Sequence, residues 1–223
     1  MIVERRMSRT LSIAWQALLI GTIAYLLFRP GGGARVRIER WRAQRAFRTA
    51  VDSLWPTISG DALTIHGDPR LAVSLVEFGD FQCPYCREAV PVLDSLIATH
   101  PRLHVAFVNL PLPMHRYARD AAIAGICASE QGRFARIYHY LYETESWDRD
   151  PNWATTARAV GVDNLRQFRR CLRDAGTARR VDREIMLAKA LALHATPTFV
   201  SQRDVVVGVP TEHQLETLAP TMH

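Results

Sequence analysis

The sequence contains a single lysine, Lys189, among 28 lysine and arginine residues. Arginine therefore carries nearly all of the positive charge, which we interpret as genomic composition rather than as a chemical requirement. The formal net charge of +6 is consequently weak evidence for a nucleic-acid partner, and we expect none. No internal repeat is apparent, and 223 residues suit one sizeable domain plus an extension.

Cysteine is scarce, with four residues in the chain. Cys83 and Cys86 form a close pair, whereas Cys127 and Cys171 are distant from it and from each other. A zinc site would require a second closely spaced pair, and the eight histidines form no convincing ligand set, so we expect no metal and no cofactor. An even number of cysteines permits two disulfides and fits an oxidising compartment.

The close pair, Cys83-Pro84-Tyr85-Cys86, stands between a predicted strand and a predicted helix. An apolar stretch over residues 71–78 precedes it, and apolar residues at helical spacing follow it. Two thiols at this spacing can close and reopen a small disulfide without unfolding, so redox exchange is the leading hypothesis. At a helix N-terminus, free N–H groups and the helix dipole lower the pKa of the first thiol.

The apolar pattern predicts an α/β fold. Glu77 lies in the middle of the first strand, where a buried acid is unfavourable unless it has a purpose or a partner. A second strand over 103–110, joined to the first by the helix after Cys86, makes a parallel βαβ unit. Residues 117–192 then show helical periodicity without strands. Two antiparallel strands and a capped helix are predicted at 198–201, 204–208 and 211–218.

Residues 11–28, LSIAWQALLIGTIAYLLF, contain no charge. As a helix they would extend about 27 Å at roughly 1.5 Å per residue, close to the thickness of a bilayer core. Trp15 and Tyr25 lie toward the ends, where aromatic rings suit the membrane interface. We predict a transmembrane signal anchor. A cleaved signal peptide is the alternative, because Gly32 and Ala34 place small residues at a plausible cleavage site.

Arginines flank this segment on both sides. Simple positive-inside counting would put the N-terminus outside, since more arginines follow the segment than precede it. We nevertheless expect the N-terminus in the cytoplasm, because the short tail carries its own charge and thiol chemistry suits an exported domain. The following stretch, residues 35–55, is either a basic amphipathic helix on anionic lipid or a solvated stalk that ends by packing Leu54 and Trp55 on the domain.

Three segments together resemble the DsbA-like branch of the thioredoxin superfamily. They are VEFGDFQCPYC at 76–86, CASEQGRF at 127–134 and ATPTF at 195–199, and the resemblance runs from about Gly67 to Leu218. It implies a thioredoxin-like α/β fold with an inserted all-helical subdomain, preceded here by the N-terminal transmembrane helix.

The resemblance also implies roles for particular residues. Cys83 is the nucleophile and Cys86 the resolving thiol. Glu77 occupies the position of the family's buried acid, a proton acceptor for Cys86, with an ion-paired structural glutamate as the alternative. Thr196-Pro197 matches a loop with a cis peptide bond that faces the active disulfide, and the Thr196 backbone is then free to pair with an incoming peptide.

Pro84 and Tyr85 resemble residues that contact substrate and tune the thiols, although Tyr85 could simply be a surface residue. Among the eight histidines only His194, three residues before Pro197, could lie near the site, and we assign it no role. Some relatives carry a disulfide in the helical block, so we predict a structural disulfide between Cys127 and Cys171, with two free buried thiols as the alternative.

The implied function is a membrane-anchored, extracytoplasmic thiol-disulfide oxidoreductase, in the periplasm or at the cell exterior. It would form disulfides in cysteine-containing exported proteins and be reoxidised by a quinone-linked membrane partner of the DsbB or vitamin K epoxide reductase type. A reductase or isomerase would use the same residues, since CPYC also occurs in glutaredoxins. A non-catalytic thioredoxin-like binding or assembly module is a further alternative.

The predicted organisation has six parts. They are a cytoplasmic tail (1–10), a transmembrane signal anchor (11–28), an Arg-rich juxtamembrane linker (29–66), a first thioredoxin-like part (67–116), a helical insertion (117–192) and a second thioredoxin-like part (193–223).

Overall fold

The computed structural model describes residues 2–29, 33–144 and 146–219, without the side chains of residues 2–14. Two predicted features lie outside this range: Gly32, one of the two small residues at the alternative cleavage site, and the last four residues of the predicted second thioredoxin-like part.

The chain divides into two compact units, residues 1–49 and 50–223. In chain order the elements are α1 (Ile2–Phe28), α2 (Gly33–Asp61), β1 (Leu63–His66), β2 (Leu75–Gly79), α3 (Pro84–Thr99), β3 (Val105–Asn109), α4 (Ala118–Ser129), α5 (Phe134–Glu143), a 3-10 turn (Ser146–Asp148), α6 (Trp153–Ala159), α7 (Leu165–Leu172), α8 (Ala175–Ala190), β4 (Thr198–Val200), β5 (Val205–Val207) and α9 (Glu212–Leu218).

The strands form one five-stranded sheet in the order β1-β3-β2-β4-β5. β2 and β3 are parallel, with Glu77 opposite Phe107, which confirms the predicted βαβ unit. β4 pairs antiparallel with β2 on its other side and places Phe199 opposite Glu77. β2 is therefore a central strand, and every residue in it is buried. The chain leaves this strand directly into the turn that carries Cys83.

The first unit contains α1 and the N-terminal part of α2. Within α1 the described apolar side chains are exposed, including Trp15 and Tyr25. In the described part of the chain, no helix on its own has the length and apolarity that crossing a bilayer requires. Trp15–Phe28 and Gly33–Asp61 meet that requirement only as a bent pair, judged by length and composition.

The stretch expected to be an Arg-rich linker over 29–66 differs from that expectation in two ways. Gly33–Asp61 is one helix that continues through Pro56, and its final turns bury Val51, Trp55 and Ile58 in the second unit. Leu63–His66 then pairs antiparallel with β3 as an edge strand. The sheet therefore begins before residue 67, because Leu63 and Ile65 supply two alternating apolar side chains to the core.

Helices α4 to α8 lie between β3 and β4 in the chain, as the helical periodicity of 117–192 predicts. The buried carboxylate of Glu184 on α8 fastens this insertion to the end of β3. It accepts hydrogen bonds from the backbone N–H and the side-chain amide of Asn109 at 3.0 and 2.6 Å. Arg180 pairs with the same carboxylate at 3.1 Å and also donates to the Asp61 carbonyl. Burial raises the pKa of Glu184, and these donors oppose the rise.

A disulfide joins Cys127 on α4 to Cys171 on α7, with a Cα–Cα separation of 5.6 Å across 44 residues of sequence. This is the pairing that the resemblance implies. At the C-terminal end, Thr211 and Gln214 form the predicted capping box at the start of α9, and Leu215 and Leu218 pack into the core. The β4–β5 hairpin closes through Ser201 and Asp204.

Candidate active site

The close cysteine pair lies at the start of α3, where β2 ends. Cys83 is the N-cap residue with extended backbone angles (φ −75°, ψ 121°), and Pro84 occupies the first helical position, where no N–H is needed. Cys83 and Cys86 are both free thiols. Cys86 is completely buried beneath the turn, whereas the Tyr85 side chain is 58% exposed. Tyr85 is thus exposed beside the thiols. This exposure is compatible with contact with a substrate and equally with a surface residue that has no role in exchange.

The pKa values of the two thiols are shifted in opposite directions. The pKa of Cys83 is lowered to about 5: the hydrogen bond from the Cys86 thiol is the largest cause, burial opposes it, and the backbone N–H groups of Cys86 and Tyr85 contribute to the lowering. Burial raises the pKa of Cys86 well above its ordinary value, and its hydrogen bond to Cys83 and the charge of Glu77 add to the rise. Near neutral pH, Cys83 is therefore a thiolate and Cys86 a protonated thiol.

Glu77 lies on the central strand next to this pair and is fully buried. Burial raises its pKa to about 8, a hydrogen bond from Tyr138 lowers it, and the charge of Cys83 raises it. The Tyr138 hydroxyl donates to Glu77 Oε2 at 2.7 Å, and Glu77 Oε1 has no hydrogen-bond partner. A carboxyl group that is half protonated near pH 8 can both accept and donate a proton under physiological conditions.

The Thr196–Pro197 peptide bond is cis. Its loop faces the cysteine pair, because Cys83 Sγ lies 3.3 Å from the Thr196 carbonyl oxygen, to which it donates while the thiol is protonated. The Pro197 carbonyl accepts from Gly208 N at 2.8 Å, which fastens the loop to the end of β5. The structure therefore brings Glu77, Cys83, Cys86 and the Thr196–Pro197 loop together around the N-terminus of α3.

Asp80 is a buried residue of this site that the sequence analysis did not single out. Its carboxylate accepts from Gln82 N at 2.8 Å, from Leu112 N at 2.7 Å and from His115 Nδ1 at 2.7 Å. Its carbonyl accepts from Cys83 N at 3.0 Å. Asp80 thus fixes the turn before Cys83 against the loop that follows β3. A buried acid three residues before a cysteine pair could have signalled this role.

A histidine without a predicted role contacts the site. His194 is exposed, and it is His115, paired with Asp80, that lies beside the turn before Cys83. Tyr138 lies within the helical pattern of 117–192, and no local motif marks it, because its contact with Glu77 spans 61 residues. Across residues 15–29, 33–144 and 146–219, no group of three or more His, Cys, Asp or Glu side chains is arranged to hold a metal ion.

This architecture, a central strand that runs into a helix-capping cysteine pair opposite a cis-proline loop, defines a thioredoxin-fold dithiol protein. A family model described as Thioredoxin matches residues 61–218, which is most of the chain. The chain belongs to that family, and the thioredoxin-like α/β fold expected from the sequence resemblance is confirmed.

Solved structures share the fold. A thioredoxin-like oxidoreductase from Silicibacter pomeroyi DSS-3 is 26% identical, covers 72% of this chain and 92% of its own, and superposes with a TM-score of 0.63. The thiol-disulfide exchange protein alpha-DsbA2 from Wolbachia pipientis is 15% identical, with 78% and 94% coverage and a TM-score of 0.68.

Among curated proteins, the Na(+)/H(+) antiporter NhaA 3 of Salinispora tropica is 30% identical over 162 residues. The match covers 72% of this chain and 25% of the antiporter. The chain thus spans about a quarter of the length of the curated relatives it matches.

Proposed function

We propose that this protein is a thiol-disulfide oxidoreductase that exchanges disulfides with exported proteins through Cys83 and Cys86. The observation that carries the proposal is the unequal environment of the two thiols. Cys83, at the start of α3, is ionised, and Cys86, one turn further into the helix, stays protonated beside Glu77. A nucleophile and a resolving thiol need this asymmetry. The nucleophile must attack and leave as a thiolate, whereas the resolving thiol stays protonated until a base removes its proton.

In the oxidising direction, a substrate thiolate attacks Cys83 Sγ of the Cys83–Cys86 disulfide. The Cys83–Cys86 bond breaks, Cys86 leaves with the electron pair and takes up a proton, and a mixed disulfide remains on Cys83. A second substrate thiolate then attacks the substrate sulfur of that mixed disulfide, and Cys83 leaves as a thiolate. The substrate is oxidised by two electrons and the protein is reduced by two, so the step needs no further oxidant.

The lowered pKa of Cys83 favours this direction, since a stabilised thiolate stabilises the reduced protein and makes its disulfide a stronger oxidant. The test is the reduction potential of the Cys83–Cys86 couple, measured by equilibration with glutathione. We expect a value well above the roughly −270 mV of thioredoxin. A value close to that of thioredoxin would favour the reductase or isomerase alternative, which uses the same residues.

Trapping in cells tests whether the pair is catalytic. In Cys86→Ser the mixed disulfide on Cys83 cannot be resolved from within, so we expect adducts with exported proteins on non-reducing gels. The matched control is the double variant Cys83→Ser/Cys86→Ser, which should form none. Retained biological function in Cys83→Ser, together with an absence of adducts in Cys86→Ser, would instead support a non-catalytic binding or assembly module.

We further propose that residues 11–28 anchor the protein in the membrane, with residues 1–10 in the cytoplasm and the cysteine pair on the extracytoplasmic side. Support comes from the uncharged composition of the segment and from the exposed apolar side chains of α1 between Trp15 and Phe28. Alkaline extraction of membranes separates an anchored chain from one released by signal cleavage. A membrane-impermeant thiol reagent, applied to intact cells after reduction, reports on which side Cys83 lies.

A quinone-linked membrane protein of the DsbB or vitamin K epoxide reductase type is the proposed reoxidising partner. Such a partner would restore the Cys83–Cys86 disulfide after each turnover by accepting two electrons. If so, alkylation trapping should find Cys83 and Cys86 mainly oxidised in cells, and depletion of quinone should shift them to the reduced form.

A further inference from the structure

The hydrogen bond between Tyr138 and Glu77 joins the helical insertion to the centre of the sheet. Tyr138 lies on α5, and its hydroxyl donates to Glu77 Oε2 at 2.7 Å. Glu77 is flanked on the sheet by Phe107 of β3 and Phe199 of β4, which offer no polar atom to its carboxyl group. Within the described residues, Tyr138 supplies the one hydrogen bond that the Glu77 carboxyl makes.

The Tyr138 ring is held in one place by other aromatic rings. It meets Phe107 and Tyr142 edge-on, with centroid separations of 5.6 and 5.0 Å, and both Tyr138 and Tyr142 are buried. Burial raises the pKa of Tyr138 well above its ordinary value, and the charge of Glu77 raises it further. The phenol therefore stays protonated and acts as a hydrogen-bond donor to the carboxyl group at any working pH.

The titratable groups that face Glu77 come from two helices. α3 contributes Cys83 and Cys86, and α5 contributes Tyr138 and Tyr142. The negative charge of Cys83 raises the pKa of Glu77 in the reduced protein. Cys83 loses that charge when it enters a mixed disulfide, so the carboxylate form of Glu77 becomes more favourable at the moment when Cys86 must lose a proton.

We propose that Tyr138 is a positioning residue for thiol-disulfide exchange: its hydroxyl orients the Glu77 carboxyl group beside Cys86 and favours the carboxylate, the form that takes the Cys86 proton. This inference rests on the proposed function. In the resolving step, the proton passes from Cys86 Sγ to Glu77, and Cys86 attacks Cys83 Sγ. The bond between Cys83 and the substrate sulfur breaks, and the substrate leaves as a thiolate. In the reverse direction, protonated Glu77 returns the proton to Cys86 as it leaves.

The test uses the reduced full-length chain and a chromogenic aromatic disulfide in stopped flow. The first thiol is released when Cys83 attacks the probe, and the second when Cys86 resolves the mixed disulfide. The second phase is independent of probe concentration because Cys86 attacks the mixed disulfide within the same molecule. We expect its rate in the wild type to rise with pH through the pKa of Glu77 in the mixed disulfide, which lies below the value of about 8 in the reduced protein because the charge of Cys83 is gone.

In Tyr138→Phe the ring packing is kept and the donated hydrogen bond is lost. The midpoint of the second phase should move upward by about one pH unit, with about tenfold slower resolution at pH 7 and an unchanged first phase. Tyr142→Phe is the matched control, because Tyr142 is equally buried in the same cluster and its hydroxyl donates to the Asp80 carbonyl at 3.3 Å instead. Its midpoint should equal that of the wild type.

A second substitution keeps the test decisive if Tyr138→Phe folds poorly. Fluorinated tyrosine at position 138 keeps the ring and the hydroxyl but is a stronger donor, so the midpoint should move downward. In a Glu77→Gln background, Tyr138→Phe should change the resolving rate no further. An unmoved midpoint in Tyr138→Phe or in the fluorinated protein, or an equal shift in Tyr142→Phe, would overturn the role of Tyr138. Absence of the first phase in the wild type would overturn the proposed function itself.

Discussion

Cys83 Sγ lies 3.3 Å from the carbonyl oxygen of Thr196 and donates a hydrogen bond to it while the thiol is protonated, although the two residues are 113 positions apart in the chain. The first thiol of the pair is thus held between the start of α3 and the cis-proline loop before β4. The carbonyl that receives this bond belongs to the backbone that we propose pairs with an incoming peptide. A substrate sulfur approaching Cys83 would therefore meet the nucleophile and the peptide-binding backbone at the same place.

The acidity of Cys83 depends first on its neighbour. Its pKa is lowered to about 5, with the hydrogen bond from Cys86 as the largest cause. Alkylation of the reduced wild type with iodoacetamide should accordingly follow a midpoint near pH 5. In Cys86→Ala the midpoint should move up toward the ordinary value of 9.0, because that hydrogen bond is absent. Mass spectrometry of the Cys83 peptide gives the rates, and a wild-type midpoint above pH 8 would contradict the assignment.

Glu77 should make folding stability depend on pH. Its folded pKa of about 8 exceeds the ordinary value of 4.5, so between these values the folded protein binds one more proton at this site than the unfolded chain. The resulting stability is fully present below pH 4.5 and is lost as pH rises toward 8, at about 1.4 kcal/mol per pH unit.

Glu77→Gln removes this dependence. Urea unfolding of both proteins with the Cys83–Cys86 disulfide closed, at several pH values, isolates the contribution of Glu77, because neither cysteine of the pair then titrates. We expect the variant to gain stability relative to the wild type as pH increases from 5 to 8. A constant difference over that range would mean that Glu77 titrates near its ordinary pKa.

The disulfide between Cys127 and Cys171 should stabilise the folded protein and take no part in thiol-disulfide exchange. It closes a separation of 44 residues within the helical insertion, which corresponds to about 4 kcal/mol in the chain-entropy model. The double variant Cys127→Ala/Cys171→Ala should therefore unfold at lower urea concentration, yet keep the two-phase reaction with the chromogenic disulfide. Loss of the first phase in a variant that remains folded would assign these cysteines a part in exchange.

Gly79 ends the central strand at a point with no room for a side chain. A Cβ there would lie 2.3 Å from Cε2 of Phe107 and 2.9 Å from Glu77 Oε1. Gly79→Ala should destabilise the protein by about 1–3 kcal/mol, because the Phe107 ring is confined by its neighbours. Gly60→Ala is the matched control, since a Cβ at that helical position meets nothing within 4 Å. It should be neutral or stabilising by up to about 1 kcal/mol, and thermal unfolding measures both.

Much of the fold follows from local sequence pattern. The run of apolar residues before Cys83 predicts a fully buried strand, and the residues after Cys86 repeat with a helical period. The edge strand Leu63–His66 was missed because four residues carry too short an alternation to distinguish a strand from a loop. The helix through Pro56 was missed because a proline ordinarily ends a helical prediction.

In the site, too, local sequence reveals the residues that are close in the chain and misses the contacts between distant residues. Cys83, Cys86 and Glu77 occupy neighbouring positions of the chain, so a motif can reveal them. The partners of the two buried acids cannot be found in this way, since Tyr138 meets Glu77 across 61 residues and His115 meets Asp80 across 35. Those contacts exist only once the insertion and the loop after β3 are packed against the sheet.

Tyr138 and the Cys127–Cys171 disulfide belong to the same inserted block, whereas Glu77 and the cysteine pair belong to the sheet and the helix that follows it. Glu77 therefore receives its only described hydrogen-bond donor from the helical insertion rather than from the sheet. A chain whose sheet has formed before the insertion docks would have an accessible nucleophile and an unsatisfied acid. With the proposed role of Tyr138, Cys86 would resolve mixed disulfides at full rate only after the helical insertion has packed against the sheet. A newly made chain would therefore exchange disulfides efficiently only once it has folded completely.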